Sequence, residues 1–284
     1  MSAKFGPAGN ADSFKTMGYK KTIDVPLYIE KMGLDAYEYQ CTRGVKISHE
    51  AAREFGDLAK EKSISLSVHT PYYISLSSTE KEKRDKSIEY ILESGSAADA
   101  MGARKIIIHS GSCSKLSRED ALEFAKDTLK RAREKLLENG LGNIILCPEV
   151  MGKTNQLGTV EEVMELCKID ETMLPCVDFG HVNSRTFGSL KTSADFEKIL
   201  DTIENALGKD RLNSFHSHFS KIEYSEKGGE VRHLTFEDRE YGPDFEPLLE
   251  LIYKKGLSPT FICESRGTQA EDALLMKKFY NNQK

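Results

Sequence analysis

The sequence predicts an α/β fold, a single closed (β/α)8 TIM barrel over residues 1–284 with a metal site at its C-terminal mouth. Three observations predict it. Eight short runs of strand character are spread along the chain. Amphipathic helical stretches lie between them, as a parallel barrel of this length requires. Six successive runs also finish on a histidine, an aspartate or a glutamate. The competing arrangement, an open doubly wound sheet, favours a G-x-G-x-x-G turn after its first strand, and "GPAGN" is not that.

In chain order, "KFGPAG" (4–9) is recognised mainly by position, and "LDAYEYQ" (34–40) by its aromatic residues. "SHEAAREFGDLAKEK" then opens on Ser48, an N-cap residue, and repeats apolar positions at helical spacing. "SISLSVHT" (63–70) and "ARKIIIHSG" (103–111) follow as β-branched runs. "SREDALEFAKDTLKRAREKLLENGL" has Ser117 as its cap, acids in its first turn and "NG" at its stop. After "NIILCPEV" (143–150), "TVEEVMELCKID" carries the capping box Thr159-x-x-Glu162. "MLPCVDFGHV" (173–182), "NSFHSHF" (213–219) and "TFICES" (260–265) complete the strands. "TSADFEKILDTIENAL", "DFEPLLELIYKKG" and "TQAEDALLMKKFY" complete the helices. No Pro/Ser-rich linker divides the chain, which reads as one domain.

Composition sets the outer bounds. Hydrophobic residues make up 39% and charged residues 30%, a soluble globular balance. No apolar run approaches the ~20 residues of a spanning helix. "MSAKFGPAGN" lacks the apolar core of a secretory signal, so a cytoplasmic protein with no membrane association is expected. The six cysteines contain no C-x-x-C pair, which excludes a zinc ribbon and fits a reducing compartment. A net charge of −5 argues against nucleic acid at face value. Divalent cations held at one spot would reverse the local sign, so charge leaves the partner open.

The strand ends carry the chemistry. They supply His69, His109, Glu149, Asp178 with His181, His216 with His218, and Glu264; of seven histidines, only His49 and His233 lie elsewhere. A lone strand-end histidine is more often structural than a ligand, but imidazoles mixed with acids on converging strands form an N/O set suited to zinc or manganese. The acids can bridge two metals ~3.5–4 Å apart. Asp178 and His181 would diverge on a continuing strand, so the strand is expected to end between them, at Gly180. His216 and His218 share a face, and only the outermost need be a ligand.

At these residues the sequence resembles the endonuclease IV family of apurinic/apyrimidinic endonucleases (family 2), within the xylose-isomerase-like TIM barrels. The resemblance covers nearly the whole chain. It rests on "HTPYYISLSS" (69–78), "IIHSGS" (107–112), "PEVMGKTNQLGT" (148–159), "CVDFGHV" (176–182), "FHSHFSKIEY" (215–224) and "ICES" (262–265), in family order. It implies two or three zinc ions, with Mn2+ an alternative in some positions. His69, His109 and Glu149 would hold the first. Glu149, Asp178, His216 and Glu264 would hold the second, and His181 with His233 would belong to a third. It also implies Tyr72 and Arg43 as DNA contacts, and double-stranded DNA with abasic sites as partner of a monomeric enzyme. Several departures mark a divergent branch. "GPAG" replaces the family's histidine-bearing first strand, and "HSHFSKIEY" replaces "HLNDAKS". Val231 occupies the position of the third site's usual Asp, with Glu230 beside it.

The activity implied is metal-dependent hydrolysis of the phosphodiester 5′ to an abasic site, as in base-excision DNA repair. Glu149 would hold the metal pair, and Glu264 would orient the nucleophile or take its proton. The alternative is a sugar isomerase or epimerase on the same barrel. It gains from Glu38 on the second strand and from the missing first-strand histidine, and loses from the number of histidines. A metal-holding binding module without turnover is the third reading.

Overall fold

Period-two alternation decides what each strand shows to the barrel interior, and the computed structural model, which describes residues 2–283, bears this out. The strands are β1 (Lys4–Pro7), β2 (Ala36–Gln40), β3 (Ser65–His69), β4 (Lys105–His109) and β5 (Ile145–Glu149). They continue with β6 (Cys176–Asp178), β7 (His216–Phe219), β8 (Lys221–Ser225), β9 (Gly229–Leu234) and β10 (Thr260–Cys263). All but β8 and β9 form one parallel sheet, ordered β1-β10-β7-β6-β5-β4-β3-β2. It closes on itself where Asp35 N–H donates to the Phe5 carbonyl and Gly9 N–H to that of Glu38, each at 2.9 Å. The eight barrel strands fall within the eight expected runs.

Helices cover the outside. They are α1 (Asp12–Thr16), α2 (Val25–Met32), α3 (His49–Glu61), α4 (Lys81–Ala100), α5 (Arg118–Glu138) and α6 (Val160–Cys167). After these come α7 (Phe179–Arg185), α8 (Ser193–Leu207), α9 (Lys209–Ser214), α10 (Glu246–Lys254) and α11 (Gln269–Asn281). The expected caps are present: Ser48 accepts from Ala51 N–H and Ser117 from Asp120 N–H. The capping box of Thr159 and Glu162 closes in both directions.

Two elements depart from expectation. β6 ends at Asp178, not at Gly180, because the Asp178 carboxylate caps α7 by accepting from His181 N–H at 2.8 Å. His181 therefore stands on a helix rather than a loop. Gly180 has a different role: a β-carbon there would meet the Ser220 carbonyl at 2.5 Å, so only glycine lets α7 lie this close to the strand. The second departure is the antiparallel hairpin of β8 and β9 beyond β7, which covers one side of the mouth.

The core is divided by the sheet. Outward residues such as Phe5, Val68, Ile106, Ile108, Leu146 and Phe261 join the helices in one large cluster. A much smaller apolar cluster is built around Ile107, Cys147 and Cys176. The alternate positions of the same strands, Glu38, Ser67, His69, Glu149, Asp178, His216 and His218, are buried and polar. A barrel centre this polar is costly unless its groups satisfy one another or bind ions. The six cysteines are all buried and unpaired. Among the described residues, no helix is long and apolar enough to cross a membrane.

Candidate metal centre

Glu149 ends β5 at the centre of the mouth and is wholly buried. Its Oε2 lies 3.3 Å from His69 Nε2 and 3.5 Å from His109 Nε2; its Oε1 lies 3.1 Å from His218 Nδ1. Among the described residues, four groups have ligand atoms within 4.8 Å of one another: His69, Glu149 and His218; Glu149, Asp178, His218 and Glu264; His181, Glu230 and His233; and Cys176, His216 and His218. The groups touch, since His233 Nδ1 is 4.0 Å from Glu264 Oε2.

His216 belongs to the group with Cys176 and His218, not to the three that carry carboxylates. It is the first residue of β7, one layer below His218, and its Nε2 donates to Glu38 Oε2 at 2.8 Å. The place expected for His216 beside Asp178 and Glu264 belongs to His218, the outermost of the pair. Parity along the strand gave both residues the same face, but their depth depends on where the strand begins. Glu38 was flagged in the sequence without a role here. It accepts from His216, from His218 Nε2 at 2.9 Å and from Ser67 at 2.9 Å.

The third group is made by a β-bulge. On a regular strand Glu230 and His233, three residues apart, would face opposite ways. Opposite β8 the register shifts, with Glu230 paired to Tyr224 and Arg232 to Glu223, so Val231 is the extra residue. Val231 points to solvent, while Glu230 and His233 turn to the same side. Glu230 Oε2 then stands 3.5 Å from His181 Nε2, in the place where the expected aspartate is missing. The loop after β5 fixes this hairpin: Glu230 N–H donates to the Gly152 carbonyl at 3.2 Å, and Thr154 N–H to that of Gly228 at 3.1 Å. Arg185 and Arg118 hold the loop in turn through the carbonyls of Thr154 and Gln156.

The donor set fits metal ions. His69 Nδ1 donates to the Thr70 carbonyl at 2.8 Å and His181 Nδ1 to that of Val150 at 2.9 Å. A carbonyl can only accept, so in the neutral imidazoles each Nε2 is left with a lone pair facing a carboxylate. His218 does the same from its other nitrogen, with Nε2 donated to Glu38 and Nδ1 facing Glu149. An outer hydrogen bond that fixes the tautomer is the usual support of a metal-binding histidine. Asp178 Oδ2 is buried without a hydrogen-bond partner. Without ions, protons carry the compensating charge. Burial opposes charge on His69 and His181, yet the carboxylates beside them lift both to about 9. Burial dominates at His109, which falls to about 4. Burial would also raise Glu149, but His218, His69 and His109 hold it well below the ordinary range. Glu264 is lifted by burial, against the pull of His218 and His233.

On the rim, Tyr72 is 55% exposed, in edge contact with Tyr73, which leans on Tyr90. Arg43 is exposed on the loop after β2.

Comparison with known proteins agrees with this architecture. The model of the xylose isomerase-like TIM barrel family matches residues 27–279. The chain belongs to that family. An uncharacterized protein of Methanocaldococcus jannaschii is 34% identical over 261 residues, covering 92% of this chain and 91% of that protein. A probable endonuclease 4 of Acholeplasma laidlawii is 26% identical over 205 residues, covering 69% of this chain and 66% of its own length. Among solved structures, endonuclease IV from Thermus thermophilus superposes with a TM-score of 0.66 at 17% identity, over 98% of this chain and 99% of that one. A D-tagatose 3-epimerase-like protein gives 0.69 at 20% identity, over 99% and 97%. Such identities speak to the fold alone. The likeness to endonuclease 4 proteins marks this chain as a divergent branch of the xylose isomerase-like barrels.

Proposed function

We propose that the protein is a metal-dependent phosphodiesterase that cuts DNA on the 5′ side of abasic sites. The observation that carries this reading is the run of three adjoining carboxylate-bearing groups, of which two share Glu149 and His218 and the third meets them where His233 approaches Glu264. Divalent cations there, zinc or manganese by donor type, would neutralise the scissile phosphate and activate the attacking water. A single ion polarising a sugar carbonyl needs only one such group, and Glu149, Asp178, His218 and Glu264 suffice for it. The surplus histidines are what a charged phosphodiester calls for.

The chain's own residues do the rest. Glu149 presents one oxygen to His69 and His109 and the other to His218, so it can tie two ligand groups together. Glu264 is less buried than Glu149 and stands between the second and third groups, placed to hold or accept the proton of the nucleophile. Tyr72 and Arg43 are the rim residues that would meet the duplex. An abasic nucleotide has no base to unstack, which lowers the cost of drawing it into the mouth.

Sugar isomerisation or epimerisation is the second reading, supported by Glu38 and by the first strand's lack of a histidine. In the structure that carboxylate is wholly buried and occupied by His216, His218 and Ser67, not offered to a substrate. The deciding experiment incubates metal-replete protein with a duplex carrying one abasic site, and separately with ketohexoses and aldohexoses. A nick 5′ to the lesion is expected. Sugar interconversion without a nick selects the second reading, and tight binding of the duplex without cutting selects a binding module.

A further inference from the structure

At the end of the barrel opposite the metal centre, the first residues of several strands line a cavity of about 1040 Å3. Lys4 opens β1, Lys105 opens β4 and His216 opens β7, so this is the N-terminal mouth. Five cations line it, Lys4, Arg53, Lys60, Arg104 and Lys105, against the two carboxylates of Asp57 and Asp99. Among the described residues, ion pairs at 4.0 Å or less account for many surface lysines and arginines but for none of these five. Lys4 meets the Ser65 hydroxyl. Lys105 is the most enclosed. Its ammonium is half-buried and meets only neutral oxygen, donating to the Ser214 carbonyl at 2.9 Å. A partly desolvated ammonium with no counter-charge is unfavourable on its own.

His216 supplies the second observation. It lines the same cavity and is wholly buried. Its Nε2 faces the Glu38 carboxylate, which can only accept, so Nε2 carries the proton and Nδ1 is an acceptor. That Nδ1 has no hydrogen-bond partner. A buried acceptor left unsatisfied is rare and calls for a donor. The cavity therefore combines two unmet needs: negative charge for the lysines and a hydroxyl for the imidazole.

We propose that this cavity binds a small hydroxylated anion of the polyol phosphate class, its phosphate against Lys4 and Lys105 and a hydroxyl donating to Nδ1 of His216. Inorganic phosphate against the lysines has only its own P–OH and no carbinol hydroxyl beyond it to offer the imidazole. A neutral polyol offers the hydroxyl without the charge. The volume matches a small-molecule site, whose usual range runs to about 1,000 Å3. The lysines belong to no ligand group, so the anion half of the site does not rest on the phosphodiesterase reading, while His216 is tied to the metal centre through Glu38 and His218.

Isothermal titration of the metal-loaded full chain with glycerol 3-phosphate, inorganic phosphate and glycerol tests the proposal. Glycerol 3-phosphate is expected to bind about tenfold more tightly than phosphate, the difference of one satisfied buried hydrogen bond. Glycerol alone should give no measurable binding. Lys105→Met and Lys4→Gln should each weaken glycerol 3-phosphate at least roughly fivefold, a lost charge-assisted contact, with metal content unchanged. Should Lys105→Met fail to fold, Lys4→Gln, on an exposed side chain, carries the test. Absence of saturable binding, equal affinity for phosphate and glycerol 3-phosphate, or binding indifferent to the lysine substitutions overturns the proposal. The last outcome would place the ligand on the metals instead.

Discussion

His218 can turn Nδ1 toward Glu149 and Glu264 because Glu38 occupies its Nε2. A carboxylate in that position fixes the tautomer and the ring plane, and its loss typically costs 10–100-fold in metal affinity. Glu38→Gln should therefore lower the affinity of the group formed with Glu149, Asp178 and Glu264 by about that factor, measured by chelator competition. Wild-type affinity in the variant would show that packing alone holds the ring. Glu149→Ala should be more severe, because that carboxylate is shared by two ligand groups. Cleavage of abasic duplex should fall by roughly three orders of magnitude or more, against about 0.5 kcal/mol of stability for an ordinary surface glutamate. Undiminished cutting by a metal-loaded Glu149→Ala protein would remove the residue from the reaction. At this scale the sequence is a good guide to which side chains point inward, since alternation alone selects His69, His109, Glu149 and Asp178. Strand direction makes His218 the outer residue of its pair, and the assignment of His216 followed the resemblance rather than this depth.

Elements whose ends are marked by side-chain chemistry were legible in advance. The box of Thr159 and Glu162 is an example: Glu162 Oε2 accepts from the backbone N–H groups of Gly158 and Thr159, while Arg118 grips the same carboxylate with two donors at 2.7 Å. Burial would raise the pKa of Glu162, but these partners hold it below the ordinary value. Its stabilisation is thus present above the unfolded pKa, about 4.3, and is lost as pH falls through the lower folded value. Glu162→Gln should lower the melting temperature by a few degrees at pH 7, for roughly 1–2 kcal/mol. The gap should close below pH ~4. A gap that persists at pH 3 would assign the effect to packing. Helix α4 went unread for the opposite reason. Of its buried positions only Ile88 and Ile91 are large and apolar; Arg84, Ser87, Ser94, Gly95, Ala97 and Ala98 fill the rest, so the apolar stripe is short, and Ser87 and Ser94 return their hydrogens to the preceding turn. The hairpin was missed because a bulge breaks the alternation that identifies a strand. Its position depends on contacts far along the chain, above all Gly152, where a β-carbon would stand 2.7 Å from His181 and 2.8 Å from Glu230. Gly152→Ala should therefore loosen the third metal group selectively. One equivalent of metal should leave early in a chelator titration, and release of all equivalents together would sink this account.

For the molecule as a whole, a net charge of −5 gives no general attraction to DNA, and the carboxylates of the mouth repel phosphate. On the proposed function attraction would come from ions held in the centre, so chelated protein should lose affinity for abasic duplex and regain it on reloading. The aromatic rim contributes in a different way. Tyr73 is braced by Tyr90 at 4.8 Å between ring centroids, leaving Tyr72 more than half exposed on the loop that follows His69. A side chain stacked on nucleic acid is worth about 1–3 kcal/mol and carries no charge. Tyr72→Ala should thus weaken binding to abasic duplex about fivefold or more, while the slope of log affinity against log salt stays unchanged. Arg43→Ala should do the reverse, reducing the slope by roughly one phosphate contact for a modest loss of affinity. Fluorescence anisotropy across a salt series, with metal content matched, separates the two. A Tyr72→Ala protein that binds like wild type at every salt concentration would make the tyrosine a packing residue of its loop, and the rim would then owe its grip on DNA to charge alone.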